Sequence, residues 1–191
     1  MPDGHQNLLG QISDTYTQGR VRAVQAVNLQ LTQTYWRAGQ HIVEFEQGGK
    51  SKADYGKALI STLASDLGLR HGKGLSRTNL VYMRLLYQCY PISQTLSDLL
   101  GWSHWVELLK IDDSLERGFY EQQTMQKRWS VRELLRQKES ALFLRLAAGK
   151  DKAGLLRLAA QGQLAKEQPL GNSEMSTIDK TRLRCAYGGY R

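Results

Sequence analysis

The 191-residue chain offers few residues whose types and spacing suit catalysis. A metal-dependent nuclease centre of the PD-(D/E)XK kind needs an acid, then an acid and a lysine two positions apart. The carboxylates hold the metal and the lysine places the attacking water. No Asp or Glu here has a Lys two positions on, and the one Pro-Asp dipeptide, Pro2-Asp3, sits at the terminus. The phosphate-binding pattern G-x-x-x-x-G-K-[ST] is absent, as are G-x-S-x-G and H-E-x-x-H. His5, His41, His71 and His104 are scattered without metal-ligand spacing. His104, between Trp102 and Trp105, reads as a packing or hydrogen-bonding residue. Cys89 and Cys185 are far apart and form no C-x-x-C, so neither a disulfide framework nor a zinc site is expected. The expectation is a non-enzyme with no cofactor and no metal.

The chemistry that does stand out is cationic. Residues 68–91 read GLRHGKGLSRTNLVYMRLLYQCYP. Three glycines and a burst of positive charge precede an apolar rhythm. Leu80, Met83, Leu86 and Tyr87 recur at helical spacing, leaving Arg77, Asn79 and Arg84 off the apolar stripe. Arg and Asn presented this way suit base edges and phosphates. Arg70, His71 and Lys73 decorate the loop before them, where Arg70 and Lys73 suit phosphates. "GKG" adds backbone N–H groups, a weak phosphate signal by itself. The whole chain has net charge +8 and a pI near 9.6, which favours a polyanionic partner.

The elements that position these residues are helices. Prolines number three, hydrophobic residues make up 41%, and alternating Val/Ile/Thr runs are scarce. The spacing predicts a short helix over 6–18 and a long one over 21–47. On the latter, Leu31, Tyr35, Ala38, Ile42 and Phe45 form a stripe. That stripe serves the domain's own core or, as a heptad-like seam, pairs with a second copy or a nuclease subunit. Gly39 inside it costs roughly 1 kcal/mol against alanine, a sign of a close helix crossing. A helix over 52–67 follows, with Tyr55, Leu59, Ile60, Leu63 and Leu67 on one face and Gly68 as its C′ residue. Ser76 is an N-cap for the next helix, and Leu75 with Leu80 forms a hydrophobic staple. Residues 52–91 thus read as a helix-turn-helix variant with a long turn.

Two short helices are expected after Pro91, with Trp102, Trp105, Leu108 and Leu109 in the core. Capping signals at Asp113–Glu116 and Ser130–Glu133 predict a helical pair, 114–127 and 131–147. Trp129 and Leu134 would staple the second, and Arg132 and Arg136 on it would give outer DNA contacts. A last helix is placed near 151–161. Residues 164–191 lose the apolar rhythm and are expected to be disordered. No signal-peptide core or long apolar run occurs, so the expected setting is cytoplasmic, with no membrane.

The stretches YWRAGQHIVEFEQGGKSKADYGKALISTLASDLG, GKGLSRTNLVYMRLLYQCYP, WSHWVELLKI and WSVRELLRQ resemble the N-terminal domain of the YhcG family, across residues 11–163. In these bacterial proteins a helical domain with a helix-turn-helix or winged-helix arrangement precedes a PD-(D/E)XK nuclease domain. The family's loop carries Phe where His71 and Leu75 stand. After LLRLAAQGQ a full-length member continues into the nuclease domain. This chain continues into a different tail, as a stand-alone module, a truncated gene or a frameshifted product would. The resemblance implies an all-α DNA-binding module associated with a nuclease, without the nuclease's own activity. The alternative is a protein-interaction module that partners a nuclease or restriction-modification subunit.

Overall fold

A computed structural model describes residues 2–48 and 53–148. The helix expected over 151–161 and the tail lie outside them. The described residues form seven α-helices and two short 3-10 turns, with no strand. There is accordingly no β-wing among them.

Helix α1 spans Pro2–Gly48 without a break, where the sequence suggests two helices parted near Gly19. A lone glycine costs roughly 1 kcal/mol in a helix. With no proline to remove a backbone donor, the ladder carries through it. Helix α2 spans Ala53–His71. It does not stop at Gly68. Gly72, with φ of 78° and ψ of −159°, a conformation open essentially to glycine, ends it, and its N–H donates to the Gly68 carbonyl at 3.0 Å. A 3-10 turn, Lys73–Leu75, leads to α3, Arg77–Cys89. Ser76 caps α3 as expected, its hydroxyl accepting from the Asn79 N–H at 3.4 Å.

A second 3-10 turn, Ser93–Thr95, stands where a short helix was expected. It is followed by α4 (Trp102–Leu109), α5 (Ser114–Lys127), α6 (Val131–Glu139) and α7 (Leu142–Ala148). Asp113 and Ser130 cap α5 and α6, accepting from Glu116 N at 2.6 Å and Glu133 N at 3.3 Å. The single helix expected over 131–147 is divided at Ser140–Ala141, where Ala141 takes φ of 49°. The bend lets Phe143 turn into the core beside Phe119.

The apolar side chains gather into two cores joined by α3. In the first, Leu80 and Met83 of α3 meet Ile42 of α1 and Ile60 of α2, with Tyr35, Ala38, Leu63, Leu67 and Leu75 around them. Leu59 is also buried, so the predicted α2 face holds, while Tyr55's side chain lies outside the description. In the second core, Leu86 and Tyr90 meet Trp105, Leu108, Leu109, Phe119, Tyr120 and Leu134. Trp102 packs against both. Two helices approach closely at Gly39, where a Cβ would stand 2.0 Å from the Met83 carbonyl oxygen. Of the α1 stripe, Ile42 is buried and Leu31 and Phe45 are exposed.

Candidate nucleic-acid interface

The corner between α2 and α3 is built by local hydrogen bonds. Asn79 holds it from inside. Its amide Nδ2 donates to the Gly74 carbonyl at 2.9 Å, and its Oδ1 accepts from the Trp102 indole N–H at 3.4 Å. The side chain therefore ties the 3-10 turn to α3 and α4, and it is half-buried. Arg77 opens α3 on the exposed side, its Nε donating to the Ser61 hydroxyl of α2 at 3.2 Å. One such bond leaves the rest of the guanidinium's five N–H donors available. Arg70 and His71 stand exposed in the last turn of α2, and Lys73 starts the 3-10 turn. The first turn of α3 carries no acid. The backbone segment that carries Arg70, Lys73 and Arg77 thus turns beside a helix N-terminus, whose own N–H groups favour anions.

Arg84 is placed differently. Its Nη1 contacts Glu46 Oε1 of α1 at 2.9 Å, with the pair about a quarter to a third exposed. It fastens α3 to α1 in the free protein. A pair this exposed contributes at most about 1 kcal/mol. Arg132 and Arg136 are exposed on α6, whose Leu134 belongs to the second core, so they stand apart from the corner on the first. Arg136 pairs with Glu133 at 2.8 Å, and Glu133 also accepts from Gln137 at 2.6 Å.

α3 is more enclosed than its sequence suggests. Arg77, Thr78 and Gln88 are its exposed residues, and every other position is half-buried or buried. The periodicity of Leu80, Met83 and Leu86 reveals one buried face. It does not reveal that α1 and α4 cover its flanks, because that needs the tertiary arrangement.

His104 is structural. Its Nδ1 accepts from the Gly101 N–H at 3.2 Å and its Nε2 lies 3.1 Å from the Trp129 carbonyl. The neutral ring with its proton on Nε2 satisfies both contacts, and burial holds the pKa below the usual histidine value. Among the described residues, no three His, Cys, Asp or Glu side chains gather where a metal ion would fit. No helix among them is long and apolar enough to cross a membrane.

Sequence reasoning did not single out a groove of about 470 Å³ between α1 and the end of α5. Arg20, Val24, Leu99, Met125, Arg128 and Trp129 help line it. Its signal was diffuse, because residues spread over three segments meet there through the unbroken course of α1.

The model for the DUF1016 N-terminal domain matches residues 11–145. The chain is also 34% identical, over 192 aligned positions, to an Escherichia coli (strain K12) protein named "Putative nuclease YhcG". That alignment covers 84% of this chain and 51% of the relative, so the chain spans about half the length of the curated relative it matches. No solved structure matches it. From the ordered motifs, the helical architecture and these matches together, the chain belongs to the DUF1016 N-terminal domain family.

Proposed function

We propose that the chain is a non-catalytic DNA-binding module, the targeting half of a YhcG-type nuclease. The observation that carries this reading is the pair of exposed cations Arg70 and Arg77 flanking the turn that begins at Lys73, beside the acid-free first turn of α3. Helix-turn-helix proteins touch bases with the first residues of their second helix, and Arg77 and Thr78 hold those positions here. The corner residues neutralise phosphates, and Arg132 and Arg136 add outer contacts. Asn79 shapes the turn and Arg84 joins the contact by exchanging Glu46 for DNA. Half of the net charge of +8 comes from residues 149–191, with eight Lys or Arg against four Asp or Glu, so that segment strengthens attraction without choosing a sequence.

Fluorescence anisotropy of labelled duplex and branched DNA over a salt series tests the reading. Each phosphate contact contributes a slope of roughly 0.9 in log affinity against log salt. The expected result is salt-steep binding. Arg70→Ala/Lys73→Ala/Arg77→Ala should weaken it and flatten the slope by up to about 3. Absence of binding at low salt would sink the proposal. An assembly role has its own observation, the apolar stripe on α1 left exposed among the described residues, and is independent of this one.

A further inference from the structure

The first half of α1 is apolar on a side that stays largely exposed among the described residues. Leu9, Ile12, Tyr16, Val24, Val27 and Leu31 are between 39% and 67% exposed. At 100° per residue they cluster on one stripe. The stripe is turned away from the face through which Thr32, Gly39 and Val43 are buried. Between residues 4 and 31 the only Lys, Arg, Asp or Glu side chains are Asp14, Arg20 and Arg22. Asp14 and Arg22 fall on the opposite side of the helix, leaving Arg20 as the single charge on the stripe. Loss of charge with retained apolar and aromatic groups is the composition of an interface centre.

We infer that this stripe is an antiparallel dimer seam, and that its occupant is a second copy of this chain. Three features select that occupant. The stripe is nearly symmetric about the level of Gln18. Antiparallel pairing there sets Leu9 against Val27, Ile12 against Val24, and Tyr16 against Arg20 of the partner helix, and each contact occurs twice, as a two-fold interface requires. Charge then selects direction. Parallel pairing in register would put Arg20 against Arg20. Antiparallel pairing puts each Arg20 against a Tyr16 ring, a contact this helix already makes with its own Tyr16 at 5.9 Å. Area is the third feature. The exposed parts of the six side chains amount to roughly 600 Å² per copy, close to the ~800 Å² per partner of a standard-size interface. The groove of about 470 Å³ beside the stripe, with Leu99, Met125 and Trp129 in its wall, gives the partner helix further apolar contact.

Sedimentation equilibrium on the full 191-residue chain tests the seam. The expected mass is twice 21.6 kDa. Ile12→Glu/Val24→Glu should give a monomer with unchanged far-UV circular dichroism. A chain with Cys89→Ser and Cys185→Ser provides the background for cross-linking. Adding Ile12→Cys/Val24→Cys should give a disulfide-linked dimer under mild oxidation. Within one helix those positions are about 18 Å apart, so the bond reports a second copy. Ile12→Cys alone should give none. A monomer at every concentration overturns the inference. So does a dimer that survives the paired glutamates, or covalent dimer from Ile12→Cys alone, which would mean a parallel seam. DNA binding by a chain shown to be monomeric would leave the corner's role standing and remove only the dimer.

Discussion

Gly39 sets how closely α1 and α3 approach. A Cβ there would stand 2.0 Å from the Met83 carbonyl oxygen and 3.1 Å from the Arg84 backbone nitrogen. Both are main-chain atoms that cannot swing aside. Alanine would gain about 1 kcal/mol in helix propensity. The clash outweighs this, since overpacking costs about 1–3 kcal/mol or more even where side chains can yield. Gly39→Ala should therefore lower the thermal midpoint by several degrees, read by circular dichroism; an unchanged or raised midpoint would contradict the close crossing. The sequence signalled this residue correctly, because a glycine inside a long apolar helix is costly without a packing reason. It gave no such signal for Asn79. A lone asparagine on a helix looks the same whether it faces a base or the Gly74 carbonyl and the Trp102 indole.

At the scale of elements, the helices and their starts were readable and their ends less so. Ser76, Asp113 and Ser130 cap helices at the expected places, because a side-chain oxygen satisfying the free N–H groups is a local event. The end of α2 was ambiguous between two glycines four residues apart, and φ decides it. Gly68 is helical with open space where a Cβ would stand, whereas Gly72 has φ of 78°. Gly68→Ala should stabilise the protein by about 0.5–1 kcal/mol, through helix propensity. Gly72→Ala should destabilise it by about 1–3 kcal/mol, the cost of holding alanine at a φ and ψ of 78° and −159° that are open essentially to glycine alone. Urea unfolding of the two variants checks the pair, and stability changes of the same sign would refute the assignment. The break at Ser140–Ala141 had no cue of this type, since neither glycine nor proline marks it. There the packing of Phe143 overrides the local preference for a continued helix.

The described residues form two cores on one shared helix. Leu80 and Met83 lie in the first, Leu86 and Tyr90 in the second, and Trp102 touches both. The Trp36 indole adds a tie, donating to the Tyr90 carbonyl. Neither core keeps its lining if α3 leaves, so the two should unfold together. The expected outcome is one transition in urea, with far-UV circular dichroism and fluorescence of the four tryptophans coinciding. Separate midpoints would show independent cores. The all-α class was legible from composition and spacing. The division of α3 between two cores was not, because a periodic stripe says which residues are buried and not what buries them.

The long first helix also has a mechanical meaning. Its body is gripped from Gly39, where α1 and α3 are in main-chain contact, back through fully buried Thr32 to Asn28, whose side chain lies beside Gly101. From Asn28 to Pro2 it is about 40 Å of helix at 1.5 Å per residue. Such an arm is a lever with its fulcrum at the edge of the packed helices. A tilt of about 5° at Asn28 displaces the far end by about 3 Å, by the same helical rise. Small repacking of Met83 against α1 is thereby magnified at the remote tip, and a load applied at the tip returns to the helix that carries Arg77.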